Sequence, residues 1–93
     1  MEENITLTYS EEENAWCSDK ITLESNAIIN VEFEERGKLV IQKQNEEDGP
    51  APKIFISTQE TKEEQVVLKG HPVGKIIQIF TSVKPKSVIY IKL

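Results

Sequence analysis

Leu68–Phe80 reads LKGHPVGKIIQIF, and two folds compete for it. As a phosphate-binding loop, Gly70 to Lys75 would open a helix in an α/β domain. As a turn, the same residues would join two β-strands. A phosphate loop needs G-x-x-x-x-G-K, then Ser or Thr for Mg²⁺, at a helix N-terminus. Here the gap between Gly70 and Gly74 is one residue short, and Lys75 is followed by Ile76. The next residues, IIQIF, are strand-like. Gly70, Pro72 and Gly74 are therefore turn residues, and the chain reads as β at the point where a helix was the alternative.

The same period of two extends outward from there. In NITLTY, Ile5, Leu7 and Tyr9 share one face, against Thr6 and Thr8. KITLE alternates Ile21 and Leu23 with Lys20 and Thr22. AIINVEF alternates Ala27, Ile29, Val31 and Phe33 with Asn30 and Glu32. EERG predicts a hairpin turn with Gly37 at positive φ, and KLVIQK its return strand. SEEEN (Ser10–Asn14), SN (Ser25–Asn26) and QNEEDGPAP (Gln44–Pro52) are connections. KIFIS, QVVLK, KIIQIFT and SVIYIKL are further strands, AWC is a short extended piece, and TQETKEE is a polar loop. No window has a helical period. About eight short strands at this spacing predict an all-β fold, an antiparallel two-sheet β-sandwich of jelly-roll or immunoglobulin-like kind, with a closed barrel as the alternative. The 93 residues make one domain, 1–93.

Composition narrows the function classes. Residues 1–48 carry 13 acidic and 4 basic side chains, a net of −9. Residues 49–93 carry 3 and 7, a net of +4, and the sum is the −5 of the whole chain. An acidic chain with a single Arg, Arg36, is poorly made for nucleic acid. No apolar run approaches the roughly 20 residues of a membrane span. The start, MEENITLTYSEEEN, has neither the basic nor the apolar region of a signal peptide. A virion or cytoplasmic setting is expected, or an extracellular one if a leader was trimmed away. Cys17 is alone, so no internal disulfide forms, and it reads as a small core residue.

The chemistry-bearing residues offer little to an enzyme. His71 is the one histidine, with no Cys near it in sequence, so a zinc set or a Cys17–His71 dyad has no local support. The carboxylates Glu11–Glu13, Glu34–Glu35 and Glu46–Asp48 fall in polar segments, where they stay ionised and solvated. Calcium at SEEEN and NEEDG is the remaining metal option, although neither stretch has the alternation of an EF-hand loop. No catalytic residue, cofactor or metal site is assigned. Sugar recognition needs exposed aromatics. Trp16 is the one strong stacking residue, so a ligand loop around it is the binding-module reading, with the core as its other home.

More informative are strands that are apolar on both faces, because each face of a small sandwich sheet that does not meet the core should be polar. Ile76 and Phe80 oppose Ile77 and Ile79; Val88 and Tyr90 oppose Ile89 and Ile91. Phe55 opposes Ile54 and Ile56, and Val67 opposes Val66 and Leu68. Ile76, Phe80, Val88, Tyr90, Phe55 and Val67 are thus the expected protein interface, facing another copy or a different subunit.

The segments AWCSDKITLESNAIINVEFEERGKLVIQKQ, GPAPKIFIS and HPVGKIIQIFTSVKPKSVIYIKL resemble the small β-sandwich structural proteins of tailed-phage virions: capsid-decorating, head-fibre and neck components, the crAss-like phages among them. The likeness spans most of the chain but has no signature motif, so it carries over no functional residue. It implies a non-enzymatic virion component that docks on a capsid or a neighbouring subunit. A carbohydrate-binding or adhesion-type accessory module is the alternative.

Overall fold

The computed structural model of the chain describes residues 2–44, 52–70 and 74–93. All regular structure among them is strand: β1 (Glu2–Asn4), β2 (Leu7–Ser10), β3 (Ala15–Ser18), β4 (Ile21–Thr22), β5 (Ala27–Gly37), β6 (Leu39–Lys43), β7 (Lys53–Ile56), β8 (Thr61–Leu68), β9 (Ile76–Thr81) and β10 (Pro85–Lys92). They form two antiparallel sheets packed face to face. The four-stranded sheet runs β1-β10-β5-β8; the six-stranded sheet runs β2-β3-β9-β6-β7, with β4 also paired to β9. The sheets do not close into a barrel, so the sandwich is the fold.

The alternation in the sequence builds this core directly. Along β5, Ala27, Ile29, Val31 and Phe33 are buried while Glu32 and Glu34 are exposed. Along β9, Ile77, Ile79 and Thr81 are buried; Ile79 opposes Ile41 of β6 and Thr81 opposes Leu39. Leu7, Leu23, Val66, Leu68, Val88 and Tyr90 complete one continuous cluster. Each such aliphatic side chain withdrawn from water contributes about 1.5–3 kcal/mol.

Several expected elements differ. The segment NITLTY breaks at Ile5–Thr6: β1 pairs with β10 in one sheet, and β2 pairs with β3 in the other. EERG is no hairpin, because β5 runs on through Gly37 and β6 then joins the opposite sheet. Gly37 does not have positive φ; a Cβ there would stand 2.7 Å from Val83 Cγ2 and 3.1 Å from the Phe33 ring. Close packing, not backbone handedness, requires the glycine. The second half of TQETKEE is the start of β8; with NITLTY split in two and AWC paired as part of β3, the described residues form ten strands where about eight were expected. Gly70 and Gly74 have φ of 73° and 89°, as turn residues do. Residues 71–73, and residues 45–51 of the long acidic connection, lie outside the described residues.

Candidate functional site

Antiparallel register puts directly opposed residues on the same face. On the outer side of the six-stranded sheet, Thr8 opposes Cys17, Cys17 opposes Phe80, Phe80 opposes Val40, and Val40 opposes Ile56. One unbroken row, Thr8–Cys17–Phe80–Val40–Ile56, therefore crosses five strands. Cys17, Phe80 and Val40 are half-buried, and Ile56 at the end is 55% exposed. The neighbouring positions on this face are Ile76, Gln78 and Gln42, uncharged, and at the β7 edge the exposed Lys53, which opposes Gln42. The outer side of the four-stranded sheet is different. Val67 opposes Ile28, and Ile28 opposes Ile91, giving an apolar row; two rows along, past Ile89–Asn30–Gln65, Glu32 opposes Glu63. That face is mixed apolar and acidic.

The expected interface residues divide accordingly. Ile76 and Phe80 do face outward, opposite in sense to buried Ile77 and Ile79. Val67 is exposed, at 48%, on the other sheet. Val88 and Tyr90 are corrections: they are 2% and 1% exposed and belong to the core. β10 lies between β1 and β5, and its register sets Val88 beside Val31 and Tyr90 beside Ile29, both inward-facing. Ile89 and Ile91 are the residues of this strand that face outward. Phe55 is a correction too. Phe55 pairs with buried Ile41 and so packs against the core, which leaves Ile56, paired with outward Val40, outside. Val40, Cys17 and Ile56 were missed. The clear parity of β5 would have fixed that of β10, but only once their pairing was known.

Trp16 is half-buried and packs on the core from the inner side of β3. Tyr9, expected in the core, is 49% exposed; β2 is an edge strand, and the ring meets Trp16 edge-on at 5.7 Å instead. The Tyr9 hydroxyl donates to Asn14 Oδ1 at 2.8 Å. Lys84 Nζ sits 5.8 Å from the Trp16 ring centroid. Among the described residues, the core, Tyr9 and Lys84 line the indole's surroundings, and the ring stays half-buried.

Titratable groups show modest perturbation. Burial, then the nearby Glu13 carboxylate, pushes the Cys17 thiol pKa up, the reverse of an activated nucleophile. The hydrogen bond from Lys92 Nζ to Glu24 Oε2, 2.7 Å long, holds the Glu24 carboxyl below the usual range and raises Lys92. Among the described residues no group of three or more His, Cys, Asp or Glu is placed to hold a metal ion. NEEDG and His71, and with them the second half of the calcium option and of the Cys17–His71 dyad, lie outside the described residues. No helix among the described residues is long and apolar enough to cross a membrane. No protein-family model, curated protein or solved structure matches the chain.

Proposed function

We propose that this chain is a non-enzymatic structural or assembly protein, a subunit that docks on a neighbouring protein through the outer face of its six-stranded sheet. The observation that supports this is the row Thr8–Cys17–Phe80–Val40–Ile56, uncharged across five strands in a chain that is 29% charged. Interface centres are depleted of charge and enriched in aromatic residues, and Phe80 stands mid-row. The acidic loops and the Glu-bearing edge strand β8 keep the rest of the surface solvated and its edge unattractive to other strands. The resemblance to phage head proteins suggests a virion lattice as the setting.

Light scattering over a dilution series, on wild type and Phe80→Asp, tests the reading. The wild type is expected to persist as an assembly on dilution and Phe80→Asp to run as a monomer with an unchanged circular dichroism spectrum. A buried Asp at the centre of an interface costs several kcal/mol, enough to dissolve it. If both chains are monomers at every concentration, self-assembly fails. If both assemble equally, this face is not the interface.

A further inference from the structure

The sandwich has two broad outer faces, and each carries an apolar row. On the four-stranded sheet the row is Val67–Ile28–Ile91, and it ends at Glu2. Val67 is 48% exposed, and Ile28 and Ile91 are half-buried. Glu32 and Glu63 stand opposed two rows along, both exposed. The paired outward positions of this face thus hold three carboxylates and no cation. A hollow of about 470 Å³ beside the row, with Asn30, Gln65 and Ile89 in its lining, makes the face concave.

The six-stranded sheet has the complementary chemistry. Its strands contain no Asp or Glu at all. The one charge in its paired outward rows is Lys53, at the β7 edge. A sandwich measuring 33 × 32 × 22 Å presents broad faces of about 1,000 Å², against the ~800 Å² per partner of a standard interface. Either face alone is large enough for one stable contact.

Three pairings of these faces between copies are open. Two four-stranded faces together would gather six carboxylates into one contact, and like charges there act against the pairing. Two six-stranded faces together would avoid that but leave the Val67–Ile28–Ile91 row bare. A six-stranded face on a four-stranded face covers both rows with a single kind of contact. It also sets a sheet free of carboxylates, and weakly basic, against the acidic one.

We propose that the partner of the Phe80 row is the outer face of the four-stranded sheet in a second copy of this chain, so that copies stack head to tail. The proposal rests on the Phe80 row being a docking face. The charges lie around the rows rather than in them, so they select the pairing while apolar contact holds it. Because the two faces lie on opposite sides of the sandwich, each copy keeps one free face after docking. Such a heterologous contact grows into an open stack or closes into a ring.

Light scattering on wild type, Phe80→Asp, Ile28→Asp and a one-to-one mixture of the two variants tests this, with circular dichroism checking each fold. Val67→Asp, at the exposed end of the same row, replaces Ile28→Asp if that chain does not fold. The wild type is expected to exceed a dimer, and each variant alone to be a monomer. The mixture is expected to reach twice the monomer mass and stop there. Phe80→Asp still offers its four-stranded face, and Ile28→Asp its six-stranded one. A mixture that stays monomeric overturns the head-to-tail contact. If Ile28→Asp assembles like wild type while Phe80→Asp does not, the Phe80 face docks elsewhere: this proposal falls and the docking reading stands. If the wild type is itself a monomer, self-assembly and the stack fall together.

Discussion

At Ser18 the backbone steps out of the six-stranded sheet, and the side chain fills the gap. Its hydroxyl accepts a hydrogen bond from the Ile79 N–H at 2.9 Å and donates to the Asp19 carbonyl at 2.8 Å. Its own carbonyl accepts from Gln78 Nε2 at 2.8 Å. The residue is 3% exposed, so Ser18→Ala leaves the Ile79 amide buried without a partner. That change is expected to cost about 1–3 kcal/mol, read as a lower denaturation midpoint at unchanged m-value. Ser57 works the same way between β6 and β7, where its hydroxyl takes the Leu39 N–H at 2.9 Å. Neither role was legible in the sequence. A serine that ends a short extended piece looks like any turn serine until the strand it patches, sixty-one positions away, is in place.

Among the elements, β5 was readable because Ala27, Ile29, Val31 and Phe33 keep one parity and the strand lies inside its sheet, where one face must be apolar. β8 was half hidden. Its first half, Thr61–Glu64, is polar in sequence because it runs along an edge, where charge discourages further pairing. β10 was found but turned over. Both of its faces are apolar, so period alone does not say which is inside. The passage from β5 to β6 was misread as a hairpin because Gly37 has two explanations in a sequence, handedness and close approach, and only packing separates them. Gly37→Ala tests the second. Its Cβ would meet Val83 Cγ2 at 2.7 Å and Phe33 at 3.1 Å, so overpacking of about 1–3 kcal/mol is expected. An unchanged thermal melting temperature would show that Val83 yields freely.

For the molecule as a whole, a net charge of −5 sets a rule for self-contact. Two copies repel at long range, and the uncharged Phe80 row has no ion pairs for salt to break. Raising potassium chloride should therefore hold or strengthen any self-association, because it screens only the repulsion. Weakening would point to pairing between the acidic first half and the basic second half of the chain, detected in the same light-scattering series. The sandwich was legible because composition and period determine a layer architecture. The faces were not, because they depend on strand order, which six crossings between sheets conceal. Those crossings also set an order of events in time. β5, the longest strand, is flanked by β8 and β10, both made after it. As the chain emerges from a ribosome, its row of Ile28, Ile29 and Val31 waits with both edges open. Sheet completion comes only with the final described strand, so the interval before β10 appears is when this chain is most exposed to wrong partners.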